Sequence, residues 1–371
     1  MPSPAHRTEE RSPTIGWGQA WQRGRTERRS RPLRPRRLPL LFLALLLIPS
    51  AAFSTHAGVV VQSRIDTGPW RSEAAIYPRK GQKVTLRVEA APGSTVRWYR
   101  IYPDISRFYK NANHPWEKDP YRWIGLARID YHREELTGRR GRREMEVFDG
   151  KGQAVRDDAP WWRALLGAHP ADAPFARNDL GSFWFQVEVD AQGRTLRSPG
   201  VEADDRPGLS PGAFRISVGE GEGLLRHLST FFNVPGLFGS LPWQSSQYLG
   251  ADCADVLMAA YDRWTERPSG KDYNVAMLVS RFSRVAELDL SGGDPARGLR
   301  WETQVRPGDL IAVRYPGRKQ YQHIGALYED ANRNGLLDRP DLVLHAGPDA
   351  LHASRLAEGG FDGHAVVLRP Q

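Results

Sequence analysis

Among the residues able to do covalent chemistry, Cys253 is the only cysteine in 371 residues. A single cysteine cannot close an internal disulfide, so it is either an inert buried side chain or a working thiol. It sits in Gly250-Ala-Asp-Cys-Ala-Asp255, ahead of a run of good helix formers that reaches Trp264. Asp252 has the chemistry of an N-cap, which puts Cys253 in the first helical turn. There the helix dipole is expected to favour the thiolate and lower the thiol's pKa. A nucleophile needs a base, and the base needs an orienting group. His323, in Tyr321-Gln-His-Ile-Gly-Ala-Leu-Tyr328, and His345, in Asp341-Leu-Val-Leu-His-Ala-Gly347, lie on two consecutive expected strands. If those strands pair antiparallel in an even-numbered register, both imidazoles share one face as opposite or diagonal neighbours. His323 then serves Cys253 as base and His345 holds its ring. Taken singly, each histidine is more often structural than catalytic. His352 and His364 read as surface residues.

A second constellation lies between the two histidine strands. In Asp330-Ala-Asn-Arg-Asn-Gly-Leu-Leu-Asp-Arg-Pro-Asp341, side-chain oxygens fall at Asp330, Asn332, Asn334, Asp338 and Asp341, with Gly335 sixth. With the Leu336 carbonyl at the seventh position, this is the ligand spacing of a twelve-residue Ca2+ loop. The twelfth residue is Asp rather than Glu, and the loop joins strands rather than helices. The competing reading is a polar hairpin loop turning at Asn334-Gly335.

The elements that must position these residues follow from periodicity. Helices are expected over Leu224 to Phe232, Ala254 to Trp264 and Asp272 to Glu287, with Arg281 and Arg284 on a solvated face of the third. Strands are expected over Asp309 to Arg314, Gln322 to Tyr328, Leu342 to Leu344 and Ala365 to Arg369. Helices first and an antiparallel sheet after is an α+β pattern. Upstream, residues 58–218 are β-rich. Lys83 to Glu89 and Thr95 to Tyr102 alternate, and Trp123 to Tyr131, Glu144 to Phe148, Ser182 to Val189 and Phe214 to Val218 are further candidates. Short strands with turn punctuation suggest a β-sandwich, immunoglobulin-like in kind. Gly219-Glu-Gly-Glu-Gly223 reads as a flexible acidic junction, giving regions 58–218 and 219–371. The first holds seven of the twelve tryptophans: Trp70, Trp98, Trp116, Trp123, Trp161, Trp162 and Trp184. Core packing accounts for most of them, and a sugar-stacking surface is the functional alternative.

Charge and the N-terminus bound the setting. The net charge is +9, but residues 1–37 carry ten Arg against three Glu, so the rest is nearly balanced and no nucleic-acid partner is expected. Arg28 to Arg37 followed by the apolar run Leu40 to Ile48 and small residues from Ser50 has the order of a signal peptide. Residues 1–57 are therefore read as a basic n-region and export signal, cleaved or kept as an anchor. The apolar stretch is short for a membrane span. The folded part is placed in the periplasm or cell envelope.

Four short motifs then occur in order: Asp252-Cys253, Pro307-Gly308-Asp309-Leu310, His323-Ile324-Gly325 and Leu344-His345-Ala346. Together they resemble the NlpC-type cysteine peptidases of the papain-like superfamily, from about Leu237 to the C-terminus. The resemblance implies a papain-like C-terminal domain. It implies Cys253 as nucleophile, His323 as base and His345 as third polar member, acting on peptide stems of bacterial cell wall. Ala254-Asp255 stands where the family has Ser-Gly. The family's upstream tyrosine has its nearest counterpart in Tyr248, closer to the cysteine than usual. Tyr248 and Asp252 are the candidate substrate contacts. The implied partners are cell-wall peptides or another envelope component, with a protein or glycan contact through the β-rich region. An acyltransferase on the same triad and an inert envelope scaffold are the alternatives.

Overall fold

The computed structural model describes residues 58–105, 109–111, 129–151, 175–201, 208–291, 298–347 and 349–371. The export segment and Trp116, Trp123, Trp161 and Trp162 lie outside the described residues. Among the described residues no helix is long and apolar enough to cross a membrane. The fold is mixed α+β, with several sheets and a few helices.

The first part carries β1 (Val61–Ile65), β2 (Ala75–Ile76), β3 (Lys83–Val88), β4 (Thr95–Pro103), β5 (Tyr109–Lys110), β6 (Tyr131–Glu135), β7 (Glu144–Asp149), β8 (Gly181–Ala191), β9 (Arg194–Arg197) and β10 (Phe214–Val218). One sheet runs β1-β3-β7. A second runs β2-β10-β8-β4-β6, with β9 added to β8. Central β8 is buried along almost its whole length, as a strand flanked on both edges and covered on both faces should be. Val84, Leu86 and Phe148 of the first sheet share one core with Trp98, Phe183 and Val187 of the second. Trp98 and Trp184 are fully buried, and Trp70 has the guanidiniums of Arg64 and Arg87 against its ring. These three tryptophans are thus engaged in packing.

The second part holds α1 (Gly223–Ser229), β11 (Leu237–Phe238), α2 (Pro242–Ser246), α3 (Cys253–Thr265), α4 (Val275–Arg281), β12 (Ser283–Asp289), β13 (Leu299–Arg300), β14 (Leu310–Arg314), β15 (His323–Glu329), β16 (Leu336–Leu337), β17 (Leu342–His345), β18 (His352–Arg355) and β19 (His364–Arg369). Its main sheet has the order β12-β19-β14-β15-β17-β18, antiparallel throughout. Helix α3 buries Ala254, Val256, Leu257, Met258 and Ala260 in the core that also holds Ile324, Ala326 and Leu344. It ends at Glu266, in left-handed backbone at φ 55°.

Two expectations are corrected. The third helix stops at Arg281, and Ser283–Asp289 is a strand on β19, Ser283 opposite Arg369 and Asp289 opposite His364. Ala-Glu-Leu suits a helix locally, but ladder hydrogen bonds to a segment eighty residues on override that preference. The glycine-rich junction is also not loose. Gly219 N–H donates to the Pro78 carbonyl (3.1 Å), Lys80 N–H donates to Gly219 (2.9 Å), and Glu220 N–H donates to Ser229 Oγ (2.8 Å).

The core is continuous across this junction. Ser182 Oγ bonds the Thr230 carbonyl (2.9 Å), and Asn233 Nδ2 donates to the carbonyls of Arg177 (3.0 Å) and Leu180 (3.2 Å). Arg215, buried on β10, donates to the Gln247 carbonyl (2.6 Å) and to Tyr77 Oη (2.7 Å). Strand β5 pairs parallel with β11, Tyr109 opposite Leu237, and Asn111 Nδ2 donates to the Gly239 carbonyl (2.7 Å). The first part thus braces the segment leading into Cys253.

Candidate functional site

Helix α3 begins where Asp252 stays extended and its carboxylate accepts the N–H groups of Ala254 (2.9 Å) and Asp255 (3.0 Å). Its other oxygen accepts Gly239 N–H at 3.2 Å. Asp252 is therefore the expected N-cap, and backbone donors occupy both its oxygens. Ser240 locks the same turn: its hydroxyl donates to Asp255 Oδ2 (2.5 Å) and accepts from Asp252 N–H (3.1 Å). Burial raises the pKa of both carboxyls; the Asp252 charge raises that of Asp255 further, and Asp272 adds like-charge repulsion to both.

Cys253, the first residue of α3, accepts a hydrogen bond from Ile324 N–H on β15. The expectation of a lowered thiol pKa is corrected. Burial is the largest influence and raises it, and the Asp252 carboxylate raises it further. The N–H groups of Ile324 and Ala254 act in the other direction but do not prevail. Desolvation of a thiolate here outweighs the helix terminus.

The residue before Ile324 is His323. Strand β15 pairs with β17 in the even register, Ala326 opposite Leu344 and Leu327 opposite Val343. His345 thereby stands diagonal to His323 on one face. Their rings meet edge to face, with His323 Nε2 and His345 Nδ1 3.0 Å apart. Gly325 makes this approach feasible: a Cβ there would lie 2.6 Å from Val343 Cγ1 and 3.0 Å from His345 Cβ. That is a physical reason for glycine in His-Ile-Gly. His323 and His345 are 8% and 3% exposed, and burial lowers both pKa values, that of His323 to about 4. Both rings are neutral at pH 7. The helix approaches β15 through the core containing Ile324 and Ala326, whereas the imidazoles alternate to the face with Val343 and Phe361. Cys253 thus meets β15 at Ile324, the residue next to His323.

The surroundings add residues that the motifs did not mark. Phe361 lies against both histidines, at 4.9 Å from His323 and 5.5 Å from His345 between ring centroids. Ser354 Oγ is 2.7 Å from His345 Nε2. His352, read from sequence as a surface residue, is partly buried, its ring 4.4 Å from His345 and 4.7 Å from Phe175. The alternation of His352-Ala-Ser-Arg355 was the available signal, since it puts Ser354 and His352 on one face. Tyr315 feels Cys253 electrostatically, and burial pushes its phenol up to about 12.

Tyr248 is not part of this cluster. It is fully buried, stacked on Phe231 at 4.2 Å with its hydroxyl 2.7 Å from Thr230 Oγ1. The structure makes it core. In the 330–341 loop, Asp341 is fully buried and accepts from Ala331 N–H (3.1 Å), Asp338 N–H (3.0 Å) and Trp301 Nε1 (2.8 Å). These donors engage both oxygens of the residue expected as the twelfth Ca2+ ligand. Asp330 accepts from the N–H groups of Asn334 (3.2 Å) and Gly335 (2.8 Å), and the amides of Asn332 and Asn334 donate to Asp338. The loop is held by its own donors around Gly335, at φ 77°. Among the described residues no three imidazole, thiol or carboxylate groups gather into a metal-holding cluster.

No known protein family, curated protein or solved structure matches this chain.

Proposed function

We propose that the chain is an exported thiol hydrolase, a peptidase or amidase acting on cell-wall peptides, with a papain-like C-terminal domain carrying the chemistry and a β-sandwich-like region bracing it. The single observation that supports this most is the bond between His323 and His345 beside the strand position whose N–H holds Cys253. Structural histidines need no thiol at the same strand end.

The chemistry starts from a neutral pair. As Cys253 Sγ attacks a peptide carbonyl, its proton passes to His323 Nδ1, the ring nitrogen left over from the bond to His345. His345 steadies the imidazolium through Nδ1. The N–H of Cys253, at a helix start, is the candidate donor to the oxyanion. His323 then protonates the leaving amine, and water releases the acyl group from the thioester. A neutral resting pair means that substrate must displace solvent and complete the geometry before proton transfer.

Incubation of the full chain with cell-wall peptide fragments, beside Cys253→Ala, tests the reading. Product release confined to the parent protein, with product mass identifying the bond, is the expected result. Equal release from both proteins would sink it. The acyltransferase alternative predicts product only when an amine acceptor is added.

A further inference from the structure

We propose that Ser354 is a positioning residue of this site, its hydroxyl fixing the tautomer in which His345 accepts a hydrogen bond from His323. The kinetic part of this inference rests on the hydrolase reading, whereas the tautomer part stands without it.

Both ring nitrogens of His345 are engaged, Nδ1 with His323 Nε2 (3.0 Å) and Nε2 with Ser354 Oγ (2.7 Å). A neutral imidazole has one N–H, so only two arrangements exist. In one, His345 Nε2–H donates to Ser354 and Nδ1 accepts from His323 Nε2–H, leaving His323 Nδ1 as a base. In the other, His345 donates from Nδ1, His323 carries its proton on Nδ1, and the base is blocked. Which nitrogen holds the proton is set by the partner of the other nitrogen. Ser354 can turn its O–H to the Arg355 carbonyl, 3.3 Å away, and offer a lone pair to His345. In that rotamer the hydroxyl is an acceptor towards His345, which matches the first arrangement. His352 does not compete, because its Nδ1 is 2.8 Å from the Ala350 carbonyl, a pure acceptor.

The fold around this contact is shaped to keep it. His345 is 3% exposed, so water has little access to replace the serine. Gly359 supplies the room: a Cβ there would lie 2.9 Å from His345 Nε2 and closer still to Ser354 Oγ. Strand β18, which carries Ser354, sits at the sheet edge with His352 opposite His345, so the hydroxyl reaches the ring from the neighbouring strand.

The test uses the full chain with 15N-labelled histidine, long-range 1H–15N spectra at neutral pH, and His345→Gln and His323→Gln to assign the rings. The parent protein should show His345 protonated on Nε2 and bare on Nδ1. Ser354→Ala should give mixed tautomers at both rings, and Ser354→Thr should restore the parent pattern. Gly359→Ala should disturb the same two rings. A parent spectrum with the His345 proton on Nδ1, or a Ser354→Ala spectrum identical to the parent's, would overturn the assignment. In turnover, Ser354→Ala should lower kcat about ten- to hundredfold with KM little changed, by analogy with the scale for hydrogen-bond partners of metal-ligating imidazoles. An unchanged kcat alongside altered tautomers would overturn the positioning role. Absence of Cys253-dependent turnover in the parent would sink the hydrolase reading instead, and the spectra would still decide the tautomer.

Discussion

Cys253 carries an opposition between two local forces. A helix start favours the thiolate, and burial beside Asp252 favours the thiol. Burial is the larger, so Cys253 is held as S–H. The alkylation rate of Cys253 by a small probe should therefore keep rising as pH goes from 7 through 9, past the usual thiol pKa of about 8.5. A plateau at or below pH 7 would mean a preformed thiolate–imidazolium pair. His323 sets the acid side: its folded-state pKa of about 4 lies below the unfolded value, so its stabilising contribution is present above about pH 6.5 and is lost as pH falls through 4. The uniqueness of Cys253 made it legible in the sequence. Its burial was not, because burial comes from packing of α3 against β15, which no local pattern encodes. Ser354 was illegible for a related reason, since serine on an edge strand is ordinary until the neighbouring strand supplies an imidazole.

Two short elements, the β15–β17 pair and the loop joining it, set the geometry around that thiol. Gly325 lets β17 come close, and the glycine's missing Cβ is what brings His345 to His323. Gly325→Ala should destabilise the protein by about 1–3 kcal/mol, the range for forcing extra volume into a packed site. Its denaturant midpoint should fall and the His323–His345 tautomer pattern should be lost. An unchanged midpoint would mean that the strands adjust freely. The loop makes the converse point. Asp341 is tied inward to Trp301 Nε1, and Leu337 is fully buried beside it. Chelation should leave the Tm of the protein unchanged, whereas Asp341→Ala should lower stability by about 1–3 kcal/mol through orphaned N–H donors. A Tm that rises by several degrees on adding Ca2+ would return the loop to the cation reading. Strands with clean alternation, such as β3 and β4, were readable in advance. Strand β12 was not, because Ser283–Asp289 satisfies helix preferences and becomes a strand only when β19 arrives beside it.

At the scale of the whole chain, packing and hydrogen bonds cross the glycine-rich junction that divides the sequence into two regions. Hydrogen bonds from Asn233, Ser182 and Arg215 cross it, and one hydrophobic core runs through both sides. Unfolding followed by tryptophan fluorescence, to which Trp98 and Trp184 of the first part and Trp301 of the second contribute, should give one transition that coincides with exposure of the Cys253 thiol to a labelling reagent. Two separated transitions would show independent units. A fragment of residues 219–371 should fail to fold for the same reason, since it would bare the side of Phe231 and Phe232 that the first part covers.

The parallel pairing of β5 with β11 carries this one step further. Tyr109 and Asn111 hold the backbone that leads into Cys253, although they are more than a hundred residues away in sequence. The β-rich part is therefore not an exchangeable module that recombination could swap for another adaptor. Drift in either part is answerable to the other, and the lineage must inherit the two together.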